Sequence, residues 1–291
     1  MVVVNHAHVD LKMMKTGVLN MLTIKKASQM EIIASKDEWL IEGVIPSKSL
    51  CLLGAAPKQG KTMIALELST ALCSGKPAFD KHLIPKKGRV LYFAGEDSET
   101  GLKRRIEAFA DAKKTSVNDM ELYAITGQPL LIDDAKGREV LHAAILGYKP
   151  DLLVLDNLSR IHRSNENNAT NMAHLFEFLQ EIKNKYDTSI LLICHLGKNG
   201  TLRGSSQIDS YYESAMFLKS KNGQRYVDFK FRNYEERLDV PYQLVAKNGL
   251  RIKLDSAEVT PITIVNSLTE EQALATGRYI RTQSGGIMRI A

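Results

Sequence analysis

Cysteine is scarce in this chain. The three present, Cys51, Cys73 and Cys194, are an odd number, and all sit in apolar runs. They read as small core residues in a reducing compartment, not as a disulfide frame. No C-x-x-C pair occurs, which removes a structural zinc site of that kind. Long apolar runs are missing as well; the longest are too short to span a bilayer. The opening MVVVNHAHVDLKMMK has no extended apolar region behind a basic start, so it does not read as a secretory signal. Together these absences predict a cytoplasmic protein with no membrane partner. Internal repeats and low-complexity tracts are absent too, which sets repeat architectures aside.

What is present is ordinary globular material. Of 291 residues, 44% are apolar and 25% charged, enough for one large core or two small ones. The formal charge is +6 and the isoelectric point near 9.0. That balance permits an anionic partner such as nucleic acid without singling one out.

Apolar strands alternate with helical patterns along most of the chain. Leu50–Leu53 is a short apolar run ending at a glycine loop. Thr62–Cys73 is apolar almost all round and reads as a buried helix, stopped by Ser74-Gly75-Lys76-Pro77. Arg89–Ala94 is a second strand, after which Ser98 is placed to cap a helix carrying Leu102, Ile106 and Phe109. A short strand near Leu122–Ile125 and a helix near Arg138–Leu146 follow. Asp151–Asp156 is a third strong strand. The polar loop SRIHRSNENNAT then leads to a helix with Met172, Leu175, Phe176, Leu179 and Ile182 on one face, and Ser189–Cys194 is a fourth strand. Strands apolar throughout, alternating with helices, predict an α/β fold with a mostly parallel central sheet covered on both faces. After residue 210, Ala215–Lys219, Tyr226–Phe231, Tyr242–Ala246 and Arg251–Leu254 predict an antiparallel C-terminal meander that extends the sheet. The expected organisation is an N-terminal arm over 1–35, one α/β domain over 36–254, and a tail over 255–291.

The stretch CLLGAAPKQGKT carries the most chemistry. A phosphate-binding loop needs inward-pointing backbone N–H groups, a lysine for the terminal phosphates and a hydroxyl for Mg²⁺. The strand before and helix after are both predicted, so an anion would sit at the helix N-terminus. Gly54, Ala55, Ala56, Pro57, Lys58, Gln59, Gly60, Lys61, Thr62 and Met63 form the predicted nucleotide loop. Ala55 stands where the usual spacing has glycine. Gly60 allows close approach, Lys61 reaches the β and γ phosphates, and Thr62 meets Mg²⁺. Asp156 ends an apolar strand, where a residue that organises the magnesium belongs. Glu96 ends another such strand and can activate a water against the γ-phosphate; an acid at the start of the next helix is the alternative, a role that suits Asp97 better. His195, closing the fourth strand, is either a γ-phosphate sensor or a core histidine.

The His6-Ala7-His8 pair after an apolar run is the spacing with which amidohydrolase metal sites begin. The later histidines, His195 apart, do not follow strands in the rhythm such a site requires, so an N-terminal arm is the preferred reading.

Four strand ends therefore agree: GKT at 60–62, GED at 95–97, LLVLDN at 152–157 and LLICH at 191–195. With Trp39-Leu40-Ile41, GEDSETGLKRRIEAF, VLDNLSRIHRSNENNATNM and HLGKNGTLRGSS, they resemble the RepA-type plasmid replicative helicases. These are a branch of the DnaB-like hexameric helicases, AAA-type P-loop ATPases with a RecA-like fold, and the likeness covers roughly residues 37–235. The resemblance implies an ATP- and Mg²⁺-dependent motor on single-stranded DNA, usually a homo-hexameric ring. It implies Glu96 as the catalytic glutamate and His195 as the sensor. It also implies a finger from the neighbouring subunit: Lys230 and Arg232 match the lysine-x-arginine pattern, with Arg225 as rival. Lys198 and Arg203, in the basic glycine-containing loop after His195, are the DNA-binding candidates. Arg104 and Arg105 could lie near the adenine or the phosphates. A RecA-like nucleotide switch that assembles on DNA or protein without unwinding is the alternative function.

Overall fold

The computed structural model describes residues 26–29, 38–166, 168–197, 210–246, 249–254, 279–281 and 287–289. The chain divides into two compact units, Met1–Ala34 and Ser35–Ala291. In the first, a 3-10 turn spans Ala27–Gln29. His6, His8, Lys198 and Arg203 lie outside the described residues.

The second unit opens with a small antiparallel pair, β1 (Trp39–Ile41) and β2 (Ile45–Pro46). The main strands are β3 (Leu50–Ala55), β4 (Val90–Ala94), β5 (Leu122–Thr126), β6 (Leu152–Asp156) and β7 (Ser189–His195). They are followed by β8 (Ser214–Lys221), β9 (Gln224–Phe231), β10 (Arg237–Val245) and β11 (Arg251–Leu254). These form one nine-stranded sheet in the order β11-β10-β9-β8-β3-β7-β6-β4-β5. From β5 to β8 the pairings are all parallel; from β8 to β11 they are antiparallel. This is the predicted architecture with one refinement. β8 lies parallel beside β3, so the antiparallel part begins only at the β8–β9 turn. The long connection after β7 leaves room for the crossover a parallel neighbour needs. Further on, β12 (Tyr279–Arg281) and β13 (Ile287–Arg289) pair antiparallel.

Among the described residues four α-helices cover the sheet: α1 (Lys61–Ser74), α2 (Glu99–Ala112), α3 (Ala135–Tyr148) and α4 (Ala169–Tyr186). Their starts are capped in three cases by side chains: Ser98 accepts from Gly101 N, Asp134 from Gly137 N and Asn168 from Asn171 N. α1 is different. Its N-cap is Gly60, in the left-handed region at φ 88°, with no side-chain cap. α1 ends at Gly75, also left-handed, as the sequence predicts.

The central strands are buried on both faces, and their alternation sorts residues into two core layers. Cys51, Leu53, Val90, Tyr92, Leu152, Val154, Leu191 and Ile193 pack with Ile64, Leu68, Leu72, Ile106 and Phe109 of α1 and α2. Leu52, Leu91, Phe93, Leu153, Leu155, Ile190 and Leu192 pack with Leu141, Ile145, Leu175, Leu179 and Ile182 of α3 and α4. The three cysteines are buried free thiols. No helix among the described residues is long and apolar enough to cross a membrane.

Candidate active site

The two-residue strand period decides which side chains reach α1. Tyr92, Val154 and Ile193 face the layer that contains that helix. Asp156 and His195 follow Val154 and Ile193 by two, so they leave their strand ends on the same side.

The loop Ala56–Gly60 joins β3 to α1. Ala55 closes β3 and is buried, whereas Ala56, Pro57 and Lys58 are exposed. Gly54 lies within β3, where an added Cβ would meet Phe217 Cδ1 at 2.8 Å. Without a capping side chain, the first-turn N–H groups of α1 remain available to an anion. Met63 follows in the first turn, partly buried against the core.

Lys61 is only 7% exposed. Its ammonium donates to Ala55 O at 3.2 Å, Ala56 O at 3.0 Å and His195 Nδ1 at 3.2 Å. An ammonium only donates, so Nδ1 of His195 accepts and the ring proton belongs on Nε2. Burial lowers the Lys61 pKa, while the nearby acids Asp156 and Glu96 work against the shift. A buried cation whose acceptors are neutral is poised to exchange them for phosphate oxygens.

Thr62 Oγ1 donates to Asp156 Oδ2 at 2.8 Å, and Tyr92 OH donates to the same oxygen at 2.8 Å. Burial raises the Asp156 pKa, partly offset by the Tyr92 and Thr62 hydrogen bonds and reinforced by Asp97 and Glu96. A carboxylate in that position gains from a cation. Among the described residues no group of three or more His, Cys, Asp and Glu side chains is placed to hold a metal. A hydroxyl beside one carboxylate is instead the sparse protein donor set that Mg²⁺ uses when phosphates and water complete its shell, so Thr62 and Asp156 fit that ion.

Glu96 follows the end of β4 and accepts from Asn157 Nδ2 at 3.1 Å and Arg160 Nε at 3.1 Å. The Asn157 hydrogen bond, then Arg160 and the His195 field, hold its pKa below the usual carboxylate range against partial burial. Asp97 is held in an ion pair with Arg105 of α2. Arg105 is thus engaged by an acid, and Arg104 is exposed.

The finger candidates lie on and beyond β9. Lys230 sits opposite Ala215, and Arg225 opposite Ser220 near the far end of the strand. Arg232 lies just past the end of β9, where its guanidinium donates to the Ser210 and Tyr212 carbonyls. Besides Asn157 and Arg160, two further groups not singled out from sequence join the site. Tyr92 braces Asp156, and Tyr242 OH of β10 donates to Gln59 O in the loop at 2.8 Å. The alternation of β4 could have flagged Tyr92; nothing local flags Tyr242.

A glycine-containing loop at the mouth of the parallel part of the sheet, with an acid and an imidazole on adjoining strand ends, is the arrangement of a RecA-like P-loop NTPase fold. The chain belongs to the family described as AAA domain, which matches residues 26–201. It is similar to DNA repair protein RadA of Streptococcus pyogenes serotype M6, 25% identical over 192 residues, covering 65% of this chain and 36% of that protein. RadA of Streptococcus pneumoniae is 24% identical over 192 residues, covering 65% of this chain and 39% of the relative. RadA of Listeria monocytogenes is 24% identical over 217 residues, covering 69% and 42% respectively. The chain therefore spans less than half the length of these relatives.

Proposed function

We propose that this chain hydrolyses ATP to drive movement on single-stranded DNA. It would act in the cytoplasm as a homo-oligomeric ring, most simply a hexamer, and unwind duplex as a replicative-type helicase of a mobile element. In this reading residues 36–254 are the motor, 1–35 an arm and 255–291 a tail. The observation that carries hydrolysis is the meeting of Lys61 with His195 and of Thr62 with Asp156 at one sheet rim.

Each side chain then has a task. Lys61 exchanges its carbonyl acceptors for the β and γ phosphate oxygens. Thr62 and Asp156 would hold Mg²⁺, which when bound would neutralise phosphate charge and orient the terminal group. Glu96 orients water and takes its proton. His195 shares a proton bridge with Lys61, so phosphate arriving at that ammonium competes directly for it. Loss of the phosphate restores the bridge, and β7 carries the change into the segment that follows. Lys230 and Arg232, or Arg225, would complete the site of an adjoining subunit, with Arg232 first releasing its two carbonyls. Lys198 and Arg203 would contact the DNA backbone. The net charge of +6 favours such a partner.

The name of the relatives, DNA repair protein RadA, favours a second setting for the same motor, in repair. A switch that binds without unwinding is the remaining alternative. ATP turnover with and without single-stranded oligonucleotide, together with displacement of a labelled strand from a forked duplex, separates these readings. Stimulated turnover with displacement supports the helicase. Stimulated turnover without displacement leaves a motor or switch that does not unwind, and unstimulated turnover removes DNA as the partner.

A further inference from the structure

Glu96 is held by a single turn. Both of its donors, Asn157 and Arg160, come from the 3-10 turn after β6, Leu158–Arg160 with Asn157 as N-cap. The Asn157 amide is itself oriented: Ser159 Oγ donates to its Oδ1 at 2.6 Å, which directs Nδ2 at the glutamate. The turn closes on itself where Arg160 N donates to Asn157 O at 3.0 Å, and it is fastened at its far end where Ile132 N donates to Ile161 O at 2.8 Å. Gly95 joins the arrangement from the other side, giving its N–H to Asp156 O at 2.7 Å. A Cβ at Gly95 would fall 2.6 Å from Arg160 Cβ and 2.9 Å from its Cγ. The missing side chain is what lets the arginine stem cross the strand end and reach Glu96.

We infer that Asn157, Ser159 and Arg160 are positioning residues for Glu96, fixing its carboxylate in one orientation through Oε1 and leaving Oε2 to take the proton of the attacking water. This rests on Glu96 being the general base. Two donors on one oxygen remove the rotations of a free glutamate side chain. A base held in one orientation at the reacting atom gains rate without any change in ground-state substrate binding. Neither Arg160 nor Ser159 then needs to touch ATP.

The test uses the full chain, with ATP turnover measured in the presence of single-stranded oligonucleotide and binding of a fluorescent ATP analogue as control for folding. Arg160→Ala is expected to lower kcat about tenfold while KM for ATP stays within about twofold, the split expected of an interaction made in the transition state. Arg160→Lys should recover much of the loss. Ser159→Ala, which only frees the Asn157 amide, should lower kcat about threefold in the same way. In a Glu96→Gln background, Arg160→Ala should leave the residual rate unchanged. A shift in KM instead of kcat, or a further drop in that background, would overturn the assignment, since Arg160 would then act elsewhere. Should Arg160→Ala fail to bind the analogue, Ser159→Ala and Arg160→Lys decide the matter. If Glu96→Gln turns over normally, the general-base reading and this inference both fall. If Glu96→Gln is inactive while the Arg160 and Ser159 variants match the parent, only this inference falls.

Discussion

Tyr242 donates its hydroxyl to the backbone carbonyl of Gln59 at 2.8 Å, so a residue of the antiparallel strand β10 fastens the phosphate loop. The ring is buried, at 2% exposure, beneath that contact. Tyr242→Phe keeps the ring and deletes the hydroxyl. It should cost about 1 kcal/mol in urea unfolding and raise KM for ATP about threefold as the loop loosens. Unchanged KM would mean that the loop holds its shape without β10.

Lys61 and Glu96 should fail in different ways. If Lys61 is the cation that meets the phosphates, as proposed, Lys61→Ala should abolish binding of a fluorescent ATP analogue. Glu96→Gln keeps the shape of the side chain and should bind ATP normally while kcat falls about a hundredfold or more. Normal turnover by Glu96→Gln would take that residue out of the chemistry.

Arg232 is tied to the Ser210 and Tyr212 carbonyls within its own chain. A role across a subunit boundary requires it to let go of them. Mixing Arg232→Ala protein with Lys61→Ala protein tests this, because each supplies what the other lacks. Recovered ATP turnover in the mixture, absent from either alone, would place Arg232 in the neighbour's site; no recovery would keep it as a local brace.

His82 gives the second unit a pH-sensitive point. Its ring is buried between Phe79 and Phe229, and Nδ1 donates to Glu42 O at 2.8 Å. Burial, aided by the Arg237 and Lys81 charges, lowers its pKa from 6.5 to about 4. The folded state thus prefers the neutral ring. The resulting stability is fully present above pH 6.5 and is lost as the pH falls towards 4, by about 3 kcal/mol at most. His82→Asn, which keeps a donor near Nδ1, should flatten the unfolding free energy over that window. Parallel curves for the two proteins would remove His82 as the cause.

Burial raises the Cys51 thiol to about 11, and Cys73 and Cys194 to about 12. At pH 8 a thiol reagent should label the native protein slowly and all three cysteines at once in denaturant. Fast labelling of the native chain would mean that the core layers open readily.

Much of this was legible in the linear chain because it depends on neighbours in sequence. Apolar runs mark strands buried on both faces, Ser98 and Gly75 mark helix ends, and the adjacency of Gly60, Lys61 and Thr62 is covalent. Once β3 and α1 form, the lysine and the hydroxyl must emerge together. Strand order has no such local signature. Thr62 meets Asp156 across 94 positions, and Lys61 meets His195 across 134, only because β6 and β7 were placed in the same sheet on the side facing α1. The same holds for β8 lying parallel to β3, for Tyr92 under Asp156, and for Tyr242 against Gln59. Which segments become strands and helices, and which residues are equipped for phosphate chemistry, follows from the linear chain, since period and spacing are short-range properties. Tertiary structure alone decided which of those residues meet, because the free energy of burying two apolar layers selects the strand order, and the strand order sets the partners.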